Sequence, residues 1–154
     1  GLEKISKMTE LEELYLKGVD MFQGNTRYLS PLNNLKELSL SETRIYDRDL
    51  LVLKDLPELE IVYLNDNPLS DKTIDILVNL PKLRFLSLNG TNITEKGLDK
   101  LTVLKKLEHI NIVKCFNLTE NGVARFKKKL PACKVATSME TYIGKEGVDT
   151  QLFF

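Results

Sequence analysis

The chain of 154 residues has no tryptophan, a single histidine and only two cysteines. His109, Cys115 and Cys133 provide neither the number nor the spacing of ligands that a zinc site needs. Two cysteines are also too few for a disulfide framework, so the sequence permits a reducing compartment. We therefore expect no metal and no cofactor.

Long apolar runs are missing as well. None approaches the roughly 18 residues that a membrane span needs. Residues 1–7 have neither the apolar core nor the cleavage site of a signal peptide. We expect no membrane span in this chain, and its compartment is left open.

The formal net charge is zero, so there is no global basic surface for nucleic acid. The charge is uneven, however: residues 1–77 carry nine Lys/Arg against fifteen Asp/Glu, and residues 78–154 carry thirteen against seven. This split could assist end-to-end stacking within a longer array. The basic stretch Arg125–Lys129 lacks interleaved aromatics for base stacking. A solvated convex face is its favoured interpretation, and nucleic acid is not expected as a partner.

A period of 24 residues organises the chain. Units begin at Met8, Leu32, Leu56, Leu80 and Leu104, and Leu130 follows after 26 residues. Apolar residues occupy the fourth, seventh and ninth places of the units: Leu11, Leu14 and Leu16; Leu35, Leu38 and Leu40; Leu59, Val62 and Leu64; Leu83, Leu86 and Leu88; Leu107, Ile110 and Ile112. Three places later comes a small or polar residue: Val19, Thr43, Asn67, Thr91 and Cys115.

This pattern resembles the leucine-rich-repeat family over about residues 1–138. The resemblance implies an α/β solenoid, wound as a right-handed superhelix, with a concave parallel sheet and short helices or turns on the convex side. Leu-x-Leu alternation fits a short strand with one buried face. Ser70, Thr94 and Thr119 are predicted N-caps of the return segments, and Pro57, Pro81 and Pro131 follow where those segments must stop.

The unit at Leu104 differs, since Cys115 occupies the turn and one residue is added before Leu118. It is similar to the cysteine-containing repeats of F-box receptor proteins and of bacterial repeat proteins, whose units end in a segment like Leu130–Lys134. No F-box is visible in the sequence, so the similarity concerns the repeat subtype alone.

The predicted domain spans residues 1–138. It comprises a partial repeat at 1–7, full repeats from 8, 32, 56, 80 and 104, and a terminal strand within 130–138, with residues 139–154 as a cap or tail. Residues 1–5 align with residues 97–101, four periods later. We therefore expect that the sequence is a piece of a longer chain. The alternative is that Gly1 comes from cloning and matches the repeat by chance. Leu152, Phe153 and Phe154 are expected to pack or to meet a partner.

No catalytic constellation is apparent. His109 is expected on the concave surface and Cys115 in the turn interior, which argues against a Cys–His dyad. Asp66, Asp71 and Glu95 recur with the repeat and are interpreted as turn and cap residues. We expect the chain not to be an enzyme.

The strand positions between the leucines face the concave side, where they are free to specify a partner. Ile61, Tyr63 and Phe85 lie on adjacent strands and are predicted to form an exposed apolar patch, with polar neighbours around it. The predicted partner-binding residues are Tyr15, Glu37, Ile61, Tyr63, Asn65, Phe85, Ser87, Asn89, His109 and Asn111.

We therefore predict a protein-binding scaffold that recognises a macromolecular partner through this face. One alternative is the substrate-targeting or regulatory segment of a larger enzyme, such as a ubiquitin ligase or a bacterial effector. Another is a purely structural array, in which the aromatic residues only cover the sheet.

Overall fold

The computed structural model describes residues 1–21 and 24–141. Within this part of the chain, six three-residue strands form one parallel sheet whose spatial order is the chain order, which confirms the predicted fold class. The strands are β1 (Glu13–Tyr15), β2 (Glu37–Ser39), β3 (Ile61–Tyr63), β4 (Phe85–Ser87), β5 (His109–Asn111) and β6 (Lys134–Ala136). Leu14, Leu38, Val62, Leu86, Ile110 and Val135 follow one another across the sheet. The period seen in the sequence is therefore the step from one strand to the next.

The return segments differ in conformation along the chain. The helices are α1 (Leu2–Ile5), α2 (Asp71–Leu77), α3 (Glu95–Leu101) and α4 (Glu120–Lys129). The segments Asn25–Leu29, Asp47–Asp55 and Met139–Thr141 are 3₁₀ helices. Ser70, Thr94 and Thr119 are the N-caps of α2, α3 and α4, and each side chain accepts a backbone N–H of the first turn, as predicted.

The core is a column of aliphatic side chains between the sheet and the return segments. The strand leucines and their partners from the convex side form one continuous cluster, most of whose members are fully buried. Within the return segments the same column holds Leu53, Leu77 and Leu101, and Phe126 follows after the longer unit. Because each unit buries its apolar side against its neighbours, the units stabilise one another rather than standing alone.

A second column fills the turns after the strands, and Asn67 is its most highly bonded member. Its Oδ1 accepts the backbone N–H groups of Thr43 (3.1 Å) and Ile45 (3.3 Å). Its Nδ2 donates to the carbonyls of Leu40 (2.7 Å) and Leu64 (3.2 Å). One buried side chain thus replaces the hydrogen bonds that the backbone loses where the three-residue strands end.

A third column consists of carboxylates on the convex side. Asp47 Oδ1 accepts the backbone N–H of Ser70 at 2.8 Å and the hydroxyl of Thr73 at 2.6 Å. One period later, Asp71 accepts the backbone N–H of Thr94 at 2.8 Å. Each of these acids therefore bonds to the N-cap residue of the helix in the following unit, so Asp71 contributes to capping through Thr94.

Asp47 makes the stability of the fold depend on pH. Burial alone raises the pKa of this carboxyl, but the hydrogen bonds from Thr73 and Ser70 outweigh that effect and hold the pKa below its ordinary value. A carboxyl whose pKa is depressed by folding stabilises the native state above its unfolded pKa, near 3.9 for an aspartate. That stability is lost as the pH falls through the folded pKa.

We therefore expect the urea midpoint of the chain to fall between pH 6 and pH 3, and to fall less in an Asp47→Asn variant. The amide keeps one acceptor oxygen for Ser70 but has no charge to lose. Urea titrations at the two pH values compare the chains. An unchanged pH dependence in the variant would show that other carboxyls dominate acid unfolding.

Ion pairs link neighbouring units at the position directly before each strand. Arg84 donates from Nε to Glu108 at 2.9 Å and lies 3.3 Å from Glu60 on its other side. Lys36 contacts Glu12 at 2.9 Å two units earlier. The side chains are substantially exposed, so each pair contributes little to stability. The charge at this position alternates in sign from one unit to the next, which favours the observed alignment of neighbouring units over one that is shifted along the chain.

Candidate functional site: the concave sheet face

The concave face is built from two side-chain rows that the register places next to one another. The first row runs Glu13, Glu37, Ile61, Phe85, His109, Lys134, and the second runs Tyr15, Ser39, Tyr63, Ser87, Asn111, Ala136. Parallel strands lie about 4.8 Å apart, so side chains that are neighbours within a row can contact one another. The predicted adjacency of Ile61 and Phe85 is present, since the two are register partners.

Three rings cluster at the centre of this face. The ring centroids of Tyr63 and Phe85 are 5.1 Å apart, and those of Phe85 and His109 are 6.1 Å apart. Both pairs are tilted, an arrangement that aromatic pairs prefer to a flat sandwich. The sequence alone placed these residues on one face but did not predict their mutual packing.

The predicted exposure of the aromatic patch is wrong for two of its three members. Tyr63 is 1% exposed and Phe85 is 8% exposed, whereas Ile61 is half-buried. Strand alternation treats every outward position as open to solvent. In the structure, large side chains on neighbouring strands pack on one another, as the rings of Tyr63 and Phe85 do.

The polar positions form a hydrogen-bonded network across three strands and the residues that follow them. Asn65 Oδ1 accepts the hydroxyl of Ser87 at 2.7 Å and the backbone N–H of Asn89 at 2.9 Å. Asn89 Oδ1 accepts the backbone N–H of Val113 at 2.7 Å, and Asn111 donates to Ser87 Oγ at 3.3 Å. Asn65 and Asn89 thus continue the ladder of the sheet beyond the strand ends.

Burial accompanies the network. Of the predicted site residues, Glu37, Asn65, Ser87 and Asn111 are buried, and Asn89 and His109 are half-buried. The sequence predicts a polar rim of Glu13, Glu37, Asn65, Asn89 and His109, and the predicted exposure is wrong for Glu37 and Asn65. The short side chains among them bond to the neighbouring strands instead of standing out from the sheet.

Tyr15 is the exposed aromatic residue at one end of the second row, with 44% of its surface accessible. Its hydroxyl donates to Glu13 Oε2 at 3.2 Å. Partial burial, together with the carboxylates of Glu37 and Glu13, raises the pKa of this phenol. Tyr15 therefore remains a neutral hydrogen-bond donor at physiological pH.

The histidine and the cysteine of the Leu104 unit lie in different layers. Cys115 Sγ donates to the carbonyl of Leu88 at 3.1 Å inside the turn column, as predicted, whereas His109 packs with Phe85 on the sheet face. Burial raises the pKa of the Cys115 thiol, and it raises that of Cys133 to about 11. A raised pKa leaves little reactive thiolate at neutral pH.

Within residues 1–21 and 24–141, no group of three or more His, Cys, Asp or Glu side chains could hold a metal ion. No helix in the same part of the chain is long and apolar enough to cross a membrane. Leu152, Phe153 and Phe154, predicted to pack or meet a partner, lie outside the described residues.

Several solved structures are similar to this chain. Internalin C2 from Listeria monocytogenes is 24% identical with a TM-score of 0.67, and the match covers 88% of this chain and 54% of that chain. The tropomodulin C-terminal domain from Caenorhabditis elegans is 12% identical, also at 0.67, over 85% and 90% of the two chains. Leiomodin-1 actin-binding site 2 is 15% identical at 0.61, over 85% and 86%.

The chain thus spans about half the length of the internalin C2 chain. No protein-family model and no curated protein matches the sequence. At these identities the likenesses concern the backbone architecture.

Proposed function

Because the chain has the leucine-rich-repeat fold, we propose that it is a protein-binding scaffold that recognises a protein partner through its concave sheet face. The observation that carries the proposal is the aromatic cluster of Tyr63, Phe85 and His109 at the centre of that face. Half-buried Ile61 and His109 flank Phe85 on either side and offer the accessible surface of the cluster. Because Ile61 and His109 are already packed against Phe85, they lose little freedom on binding, which suits them to contact a partner.

The polar network supports the same proposal. Ser87, Asn65 and Asn111 are held by hydrogen bonds on the sheet rather than by water. A partner that covers this face does not have to strip water from them or leave them without a bond. Beside the aromatic centre, the side chains of Asn65, Ser87 and Asn111 therefore already have hydrogen-bond partners within the sheet. The leiomodin-1 structure is named for an actin-binding site, an instance of protein binding by this architecture.

The test is capture of partners by an Ile61→Lys/His109→Glu double variant compared with the unmodified chain. Both side chains are half-buried at the surface, so the changes place two charges beside Phe85 without emptying the core. We expect the variant to lose at least about nine-tenths of the retained partner, because substitutions of central interface residues lower the binding free energy by about 2 kcal/mol or more. Isothermal titration with the identified partner then measures the change in Kd.

A Leu51→Lys/Val103→Glu variant is the matched control, because it places the same two charges on exposed convex positions. Circular dichroism and urea midpoints establish that both variants fold. Equal loss of capture in the control, or full capture by the concave variant, would assign recognition to another surface.

A further inference from the structure

We propose that a row of basic side chains on the convex side, Arg48, Lys72 and Lys96, binds an extended acidic segment of a protein partner. The three residues of this basic row come from successive units, and each is the second residue of its return segment. All three are exposed. Gly24 and Asn121 occupy the corresponding places in the units before and after, so the row ends within the described solenoid. The basic row lies apart from the concave face, and the proposal is independent of binding there.

The basic row differs from its neighbours because its charges are not neutralised within the chain. Lys100, Arg125 and Lys129, on the same convex side, each lie within 2.9 Å of a carboxylate of the preceding unit. Among the residues that the structure describes, no side chain of the basic row forms an ion pair. Like charges in adjacent units repel one another, and carboxylates supplied by another molecule would offset that repulsion.

An acidic residue directly precedes each base of the row, but its carboxylate is bonded to the next unit. Asp71 accepts the hydroxyl of Thr94 at 2.6 Å, and Glu95 accepts a bond from Arg125 at 2.5 Å. Asp47 accepts the backbone N–H of the next N-cap residue in the same way. These acids are therefore directed along the solenoid, and the bases beside them remain available to anions from outside.

Tyr46 adds an aromatic surface at one end of the basic row. Its side chain is 45% exposed, and the Arg48 guanidinium lies 5.9 Å from the centre of its ring. An open pocket of about 480 Å³ is lined by Tyr46, Asp47, Arg48 and Lys72. A ring, a guanidinium and an ammonium group thus border one space. This combination fits an acidic side chain that is followed by an apolar one.

The surroundings of the row favour a protein partner over a nucleic acid. Ser70 and Thr94 occupy the places beside Lys72 and Lys96 that Tyr46 occupies beside Arg48, so the row offers no series of rings for base stacking. Packed helices lie about 8–10 Å apart, and α2 packs between the segment Asp47–Asp55 and α3. An extended peptide advances about 10 Å in three residues. Acidic residues at every third position therefore match the spacing of the units.

Fluorescence anisotropy with a fluorescein-labelled peptide of four Glu-Gly-Ser triplets tests the proposal on the whole chain. We expect binding at low ionic strength that weakens as salt is added. Arg48→Glu and Lys72→Glu are each expected to weaken binding by about fivefold, because an exposed ion pair contributes up to about that factor. Lys54→Glu is the matched control, since it makes the same change of net charge at an exposed position of the same 3₁₀ segment but outside the row.

The variants are expected to fold, because these side chains are exposed and the helix dipole favours an acidic residue in the first turn of α2. Circular dichroism and urea midpoints check this. Equal weakening by Lys54→Glu would show that net charge alone governs binding, and would overturn the proposal. No binding at low salt, or binding that Arg48→Glu and Lys72→Glu leave unchanged, would overturn it as well. Tighter binding of a labelled oligothymidylate of the same length would assign the row to nucleic acid instead.

Discussion

Asn67→Ala is expected to lower the free energy of unfolding by about 3–5 kcal/mol, since leaving a buried polar group unpaired costs about 1–3 kcal/mol each. The substitution removes the acceptor of the Thr43 and Ile45 N–H groups and the donor to the Leu40 carbonyl. Asn67 is 2% exposed, so water cannot take its place without opening the turn. Urea denaturation followed by circular dichroism measures the loss.

Asn67→Thr is the matched control, because threonine occupies this place in the units before and after. Thr43 and Thr91 each donate their hydroxyl to the carbonyl three residues earlier, at 2.6 Å. A threonine at 67 is expected to keep the equivalent bond to Leu64 and to lose the bonds to the preceding unit. An intermediate stability is therefore expected, and an alanine variant as stable as the threonine variant would contradict the predicted difference between them.

Phe126→Ala is expected to cost about 3–5 kcal/mol, the usual range for emptying a buried phenylalanine site. Phe126 is fully buried in α4 at the place of Leu53, Leu77 and Leu101. Its larger ring covers the core column at the β6 end. Unlike Asn67, it lies near the β6 end of the described solenoid, where each unit has fewer neighbours to support it.

The two variants are therefore expected to unfold in different ways. Loss of Asn67 acts on the central units and is expected to lower the single unfolding midpoint. Loss of Phe126 is expected to release the last unit first, so that the amides of β5 and β6 exchange before those of β3. Hydrogen exchange resolved by segment measures this order, and uniform acceleration across the sheet would show that the chain unfolds as one unit in both cases.

The sequence predicted the architecture well because repetition multiplies weak evidence. A single Leu-x-Leu segment does not identify a strand, but the same spacing in five units establishes the period, the buried face and the turn column. The caps Ser70, Thr94 and Thr119 were predicted for the same reason. The conformation of the return segments was not predicted in detail: residues 47–55 form a 3₁₀ helix, whereas α2 to α4 are α-helical.

The candidate site was predicted less well, because its properties depend on contacts between units rather than on the pattern within one. The sequence identified which residues occupy the concave face. It did not show that Tyr63 packs against Phe85, or that the side chains of Asn65 and Asn89 bond to neighbouring backbones. An asparagine two residues after a strand was the available indication, because its side chain can bond to the backbone of the next unit where the strand's own hydrogen bonds have ended.

The convex carboxylates have a consequence for how such a protein can change its length. Asp47 bonds to Ser70 and Asp71 to Thr94, each spanning 23 residues of sequence. Adding or deleting a whole unit leaves every donor opposite an acceptor, because the new neighbour carries the same group in the same place. Adding or deleting half a unit would place such a carboxylate beside a strand, and the N-cap residue of the next helix would lose its carboxylate acceptor. Whole units are therefore the increments that keep the carboxylate column intact, and duplication of complete repeats can enlarge the surface of the molecule without rebuilding its interior.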